Sequence, residues 1–115
     1  MSNILRFTAG TFAACVLLRV FVAEASAETI EVKIDNFTFA PQQITVKAGD
    51  TVTWTNGDDI PHTVTSKTQA FRSKAMDTDD KFSFTFATPG SYGYFCSLHP
   101  HMTGTVVVEA KTGEK

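Results

Sequence analysis

The chain has 115 residues, which suffices for one domain of ordinary size. Twelve acidic residues against ten basic ones give a formal net charge of −2 at pH 7. Since no basic patch stands out, the composition argues against nucleic acid as a partner.

Residues 1–27 are typical of a secretory signal peptide. Arg6 supplies positive charge, an apolar stretch runs from position 7 to about position 22, and Ala25-Ser26-Ala27 forms a cleavage site before Glu28. We therefore expect residues 1–27 to be a signal peptide, residues 28–115 to be one domain, and the mature protein to reach the periplasm. Two alternatives stay open, a lipid anchor at Cys15 and an N-terminal helix buried in the domain. A membrane anchor is not expected, because the uncharged run is shorter than the ~20 residues that a span needs.

Seven segments of the remaining sequence alternate apolar and polar residues and are rich in β-branched or aromatic residues. In chain order they are 29–34, 44–46, 51–55, 62–66, 81–87, 92–95 and 105–109. Turn signals with glycine, asparagine or proline lie at 48–50, 56–58 and 88–90. The polar segment 67–80 is expected to form a loop or one short helix. Many short strands without helical periodicity predict an all-β fold, either a sandwich or a barrel.

The alternation also predicts which side chains face the core. In segment 81–87, Phe82, Phe84 and Phe86 lie on one face of the strand and polar residues lie on the other. In segment 51–55, Val52 and Trp54 likewise share a face. Each large apolar side chain contributes about 1.5–3 kcal/mol when buried, so these residues can form a core without a disulfide.

Cysteine usage points to a bound metal. Once the predicted signal peptide is removed, Cys96 is the remaining cysteine, because Cys15 leaves with it. A single cysteine cannot form an internal disulfide, and a spare thiol is a liability in an oxidising compartment. A metal ion would occupy that thiol.

All three histidines lie close to the predicted ends of strands. His62 begins one predicted strand, and His99 and His101 follow Cys96 within five residues. Cys96 and His99 can turn toward one point, and Met102 can return to it from the far side of a short loop. A thiolate, two imidazoles and a weak axial thioether are typical of a blue copper site, whereas zinc prefers tetrahedral sites. A zinc site in which His101 replaces the methionine stays an alternative.

Two longer motifs contain these residues. The first is F-x-P-x-x-I-x-V-x-x-G-D-T-V-x-W-x-N over 39–56, and Pro61-His62 follows it. The second is Y-x-Y-F-C-x-x-H-P-x-M over 92–102. Together they resemble the cupredoxin family over essentially all of 29–109. The two-residue spacings within the second motif are similar to those of the amicyanin branch.

The resemblance implies a Greek-key β-sandwich of about seven to eight strands that binds one type 1 copper ion. It implies that the copper ligands are His62, Cys96, His99 and Met102. It also implies a monomeric carrier of single electrons between redox partners such as a dehydrogenase or a c-type cytochrome, without stable membrane insertion. The alternative is a copper-binding protein for delivery or buffering. An enzyme is not expected, because three histidines, two of them already committed, cannot build the further copper site that copper enzymes need.

Three residues depart from the family pattern. Thr63 replaces the usual asparagine after the first histidine, and we expect its hydroxyl to bridge to Ser97. Leu98 stands where proline is common, so its amide could donate to the Cys96 sulfur and raise the redox potential. His101 replaces a usual phenylalanine, and it is expected to be either a titratable group at the docking face or a substitution without a role.

Acidic residues form two groups near the predicted site. These are Asp58 and Asp59 before His62, and three aspartates at 77, 79 and 80. They either steer a basic partner or only solvate turns.

Overall fold

The computed structural model describes residues 26–111, and most of the predicted signal peptide lies outside them. Eight β-strands follow in chain order: β1 (Thr29–Asp35), β2 (Thr38–Ala40), β3 (Gln43–Lys47), β4 (Thr51–Asn56), β5 (Thr65–Ser66), β6 (Lys81–Thr85), β7 (Gly90–Cys96) and β8 (His99–Glu109). Within residues 26–111 no helix is present, and so none there could cross a membrane.

The strands form two four-stranded sheets, with orders β2-β1-β4-β6 and β3-β8-β7-β5. β1 pairs with β4 and β3 pairs with β8 in parallel, and the other pairs are antiparallel. Between β1 and β4 the chain passes through β3 of the other sheet, and between β3 and β8 it passes through β4 and β6 of the other sheet. The chain therefore crosses repeatedly between the sheets. The predicted all-β sandwich is confirmed.

The observed strands match the predicted segments with three main differences, the first being that β8 begins at His99, six residues before the predicted segment 105–109. β2 was not predicted, because three residues are too few for an alternation to show; its Phe39 pairs with Ile34 of β1. The predicted strand at 62–66 shrinks to Thr65–Ser66, and His62 instead forms an isolated bridge with Met76. Segment 67–80 is a loop, as one of its two alternatives predicted.

The core lies between the two sheets and is rich in aromatic rings. Trp54 is fully buried at its centre, with Phe71, Phe82 and Tyr94 within 6 Å by ring centroid. The predicted inward face of β6 is confirmed, since Phe82 and the rings at 84 and 86 pack on the core while the residues between them are exposed. The loops that hold the candidate site extend from this packed core.

Candidate metal centre

Three predicted ligands meet at one end of the sandwich. The Sγ of Cys96 lies 3.7 Å from Nδ1 of His62 and 3.6 Å from Nδ1 of His99. The ligand atoms of the three residues all lie within 4.8 Å of one another. Cys96 and His62 are fully buried, whereas His99 is half-buried. Both imidazoles therefore present the same ring nitrogen to one sulfur.

The β7–β8 hairpin explains how two of these side chains converge. Cys96 ends β7, His99 begins β8, and the two residues are cross-strand partners on either side of a two-residue turn. Cross-strand partners place their side chains on the same face of the sheet. The register shifts between Phe95 and Cys96, and such irregularities re-aim a side chain at the end of a strand.

The distances fit a single metal ion. Metal–sulfur bonds of about 2.3 Å and metal–nitrogen bonds of about 2.0 Å place sulfur and nitrogen ligands of one ion roughly 3.6–3.8 Å apart. The two observed sulfur–nitrogen distances, 3.6 and 3.7 Å, fall in this range. The residues present therefore fit a thiolate–imidazole metal site.

The fourth predicted ligand, Met102, lies on β8 three residues after His99 and is 5% exposed. It lines the same surface cavity as His99. His101 lines the same cavity but is exposed, and it does not belong to the Cys96 cluster. The zinc alternative needed His101 as its fourth ligand, so the arrangement of the described residues does not favour it.

A buried amide holds the loop that carries His62. Asn56 ends β4, and its Nδ2 donates to the carbonyls of Ile60, at 2.9 Å, and Met76, at 3.0 Å. Its Oδ1 accepts from the backbone amide of Asp58 at 2.9 Å. The backbone of His62 exchanges two hydrogen bonds with Met76. The histidine is thus fixed by its own backbone and by the loop before it.

Asp58 contacts the other side of the His62 ring. Its Oδ2 lies 2.8 Å from Nε2 of His62, and its side chain is 12% exposed. Burial by itself raises the pKa of Asp58, but amide hydrogen bonds from Phe37 and Asn36, together with the His62 ring, outweigh burial and hold that pKa below its ordinary value. Asp58 is thus bound to His62 and to the β1–β2 turn, which was not predicted from the sequence, and its part in steering a partner stays a prediction.

Thr63 connects the His62 segment to the Cys96 turn, as predicted. Its Oγ1 accepts from the backbone amide of Ser97 at 2.8 Å and lies 2.9 Å from the Ser97 hydroxyl. The backbone amide of Thr63 also donates to Cys96 Sγ at 3.4 Å. The expected donor to this sulfur was Leu98. Across residues 26–111 the amide that makes this bond is that of Thr63, so the reason given for a raised potential is wrong.

Phe37 is a residue of the site that no pattern in the sequence singles out. It lies in the β1–β2 turn, is 48% exposed, and presents an edge-to-face contact to both ligand rings. Ring centroids are 5.5 Å apart for His62 and 5.1 Å apart for His99. A phenylalanine in a short polar turn carries no periodic signal, so only the folded chain brings it to the site.

A sandwich of this order with a Cys/His/His cluster at one end defines a class of single-metal β-proteins. The family model described as a cupredoxin-like domain matches residues 8–108. Amicyanin from Paracoccus versutus is 40% identical over 95 residues, which cover 78% of this chain and 72% of that protein. Amicyanin-alpha from Methylorubrum extorquens is 40% identical over 93 residues, covering 76% and 78%.

A solved structure shows the same arrangement of strands. The Cu(I) form of an amicyanin variant superposes with a TM-score of 0.67 at 35% identity, covering 70% of this chain and 82% of that one. The chain belongs to the cupredoxin-like family. The predicted family and fold are confirmed.

Proposed function

We propose that the protein is a blue copper electron carrier that holds one type 1 copper ion with His62, Cys96, His99 and Met102. The observation that carries this proposal is the Cys96 sulfur, which lies 3.6–3.7 Å from one nitrogen of each imidazole. A relative solved with Cu(I) supports copper as the metal. The buried thioether of Met102 supplies a soft fourth donor, which copper accepts and zinc sites rarely use.

Bound copper would supply a one-electron Cu(I)/Cu(II) couple. Cys96 offers a soft thiolate, and the two imidazoles offer harder nitrogen donors, so together the set suits both oxidation states. Hydrogen bonds fix two of these side chains: the Thr63 amide donates to the Cys96 sulfur, and the Asp58 carboxylate contacts the His62 ring. Ligands that are held before the metal binds need little movement when the charge of the site changes.

The half-buried ligand, His99, is where a partner can approach. Around it lie Phe37, 48% exposed, and Leu98, 49% exposed, with Pro100 also exposed. A small apolar rim of this kind suits the brief contacts of electron-transfer partners, whose interfaces lie at the low end of the size range. We infer a monomer that meets a redox protein here, such as a dehydrogenase or a c-type cytochrome.

The burial of the site favours an electron carrier over a copper-delivery or copper-buffering protein. His62 and Cys96 are both fully buried and belong to the packed hairpin and its neighbouring loop. A protein that passes copper on must release such ligands readily. We also infer a carrier rather than an enzyme, in keeping with the amicyanins among its relatives.

The proposed domain limits and location rest on the sequence. Residues 1–27 are proposed as a signal peptide cleaved after Ala27, with export to the periplasm, and residues 28–115 as the cupredoxin domain. The strands begin at Thr29 and end at Glu109, which is compatible with these limits. Whether Cys15 carries a lipid instead would be seen by mass spectrometry of the mature protein.

The test is a Cu(II) titration of the purified protein followed by visible absorption. We expect an intense thiolate-to-copper band that saturates at one equivalent and bleaches reversibly with a mild reductant. A colourless or pale product would contradict the electron-carrier proposal. Rapid loss of the band to a competing chelator, within seconds, would instead favour copper delivery.

A further inference from the structure

One carboxylate, that of Asp58, connects two separate parts of the site. Oδ2 lies 2.8 Å from Nε2 of His62 and accepts from the backbone amide of Phe37 at 2.9 Å. Oδ1 accepts from the backbone amide of Asn36 at 2.6 Å. The partners come from two places in the chain, because Asn36 and Phe37 belong to a turn that precedes Asp58 by more than twenty residues, whereas His62 follows it by four. All three groups can act as donors, and the carboxylate can accept from each.

The contact with His62 decides which ring nitrogen faces the metal. Nδ1 points at the Cys96 sulfur and must be unprotonated to bind a metal. Nε2 must then carry the proton, and Asp58 stands where it accepts that hydrogen bond. A carboxylate behind a ligand histidine fixes its tautomer and its ring orientation.

The contact with the β1–β2 turn holds a backbone that is otherwise unfavourable. Asn36 has a φ of 55° and Phe37 a φ of 59°, two consecutive non-glycine residues in the left-handed region. Phenylalanine adopts this region rarely, so such a turn persists only where surrounding contacts stabilise it. Asp58 supplies those contacts, because both amides of the turn donate to it.

The position of the turn sets the position of the Phe37 ring. The ring lies edge-to-face against His62 and His99, with interplanar angles of 85° and 88°. The half-exposed ring of Phe37 therefore packs against both imidazole rings. Any loosening of the turn uncovers these rings.

We propose that Asp58 is a positioning residue that couples the orientation of His62 to the aromatic cover formed by Phe37. Through one carboxylate it selects the tautomer of the buried ligand and locks the left-handed turn that places Phe37 over both imidazoles. The effect that we expect on copper binding rests on the proposed function. The tautomer and the turn are properties of the protein without metal and can be tested there.

The test compares Asp58→Asn with Asp59→Asn, an adjacent and exposed aspartate that undergoes the same loss of charge. In the metal-free proteins, nitrogen-15 NMR would report the His62 tautomer, and hydrogen exchange would report the Asn36 and Phe37 amides. We expect both amides to exchange at least about tenfold faster in Asp58→Asn and to be unchanged in Asp59→Asn. After loading, copper loss to a chelator should be about 10- to 100-fold faster in Asp58→Asn alone.

Equal exchange and equal copper release in the two variants would overturn the proposal. If Asp58→Asn does not fold, the wild-type protein still decides the matter, because a metal-free His62 with its proton on Nδ1 contradicts the assigned tautomer. Failure of the proposed function is seen separately, as a wild-type protein that gives no blue band although the tautomer and the protected turn are found.

Discussion

His99 and His101 flank Pro100 and differ by two positions, yet they lie in different surroundings. His99 is half-buried, and its Nδ1 is 3.6 Å from the Cys96 sulfur, whereas His101 is exposed. Residues two apart on a strand face the same way, so the spacing does not separate the two imidazoles, and within residues 26–111 the cluster with Cys96 contains His99. The distinction between them is a difference of position and not of chemistry.

His99→Ala and His101→Ala form a matched pair that tests this distinction. We expect His99→Ala to lose the blue band or replace it with a weaker, shifted one, because one equatorial nitrogen is removed. His101→Ala should keep the wild-type spectrum and bind copper at one equivalent. The measurement is visible absorption after Cu(II) loading, and loss of the band in His101→Ala would reverse the ligand assignment.

Thr63→Val tests the connection between the His62 segment and the Cys96 turn. Valine keeps the shape of threonine and removes the oxygen that accepts from the Ser97 amide at 2.8 Å. We expect the free energy of unfolding of the metal-free protein to fall by about 1–3 kcal/mol, because a partly buried amide loses its acceptor. Urea denaturation measures this free energy of unfolding.

The control is Thr65→Val. The Oγ1 of Thr65 lies 3.0 Å from the Oγ1 of Thr63, but Thr65 lies outside the Cys96 turn. A loss of stability equal in the two variants would show that the contact with Ser97 has no special weight.

The sequence predicted that His62, Cys96 and His99 come together, and it predicted the contact of Thr63 with Ser97. The cluster follows in part from residue types near strand ends, whereas the full ligand set and the Thr63 contact follow from the family resemblance. The sequence did not predict the contacts of Asp58 or Phe37 at the site. Their roles depend on the β1–β2 turn lying beside the loop before His62, and a separation of more than twenty residues leaves no local pattern. The assignment of Met102 as a ligand remains a prediction.

At the scale of elements, the β7–β8 hairpin carries most of the site, and its register depends on a glycine. Tyr94 of β7 and Gly104 of β8 are cross-strand partners. A side chain at Gly104 would overlap the ring and hydroxyl of Tyr94, which is fully buried. Burial raises the pKa of Tyr94 to about 12, so the ring stays neutral in the core. The phenol thus occupies the space that a Cβ at position 104 would need.

Gly104→Ala is expected to destabilise the protein by about 1–3 kcal/mol, because the added methyl overpacks a closed core. Gly93→Ala is the control on the facing strand, where the new Cβ would meet only the flexible Lys67 side chain at 3.2 Å. Tyr94→Leu should restore part of the stability in the Gly104→Ala background. Urea unfolding of the three variants and the wild type measures these stabilities, and equal losses for the two glycine substitutions would contradict the overpacking argument.

Most strands were predictable because their alternation follows from one buried face and one exposed face. The sheet order was not, since both parallel pairs join strands distant in sequence. The predicted strand at 62–66 was too long, because His62 and Thr63 are held by one isolated bridge and side-chain contacts rather than by a ladder.

At the scale of the molecule, acidic groups gather on the same end as the site. The turn at 77–80 lies against the end of β4, where Asp79 donates its amide to the Asn56 carbonyl at 2.8 Å. Thr78 donates its hydroxyl to the carbonyl of Asp58 at 2.7 Å. The exposed carboxylates of Asp59 and Asp79 therefore lie in the neighbourhood of the loop that carries His62. We therefore predict a long-range attraction of cations toward this end of the molecule.

Electron exchange with a small cationic metal complex should slow as salt is added, because the attraction is screened beyond about 10 Å at 0.1 M. In the double variant Asp59→Asn, Asp79→Asn the rate at low salt should fall by up to roughly tenfold. Asparagine tolerates the left-handed backbone of Asp79, whose φ is 72°. Stopped-flow rates at several ionic strengths give the measurement, with an anionic complex expected to show the opposite dependence.

The parallel pairing of β3 with β8 also sets an order of events when the chain first folds. Gln43 pairs with Thr105, so the third strand must wait for the last one before its sheet can close. Folds dominated by such distant pairings typically form in milliseconds to seconds, much later than local structure. During that interval the Cys96 thiol, fully buried afterwards, is open to oxidants. Metal supplied early in folding would therefore protect the very sulfur that the finished protein needs.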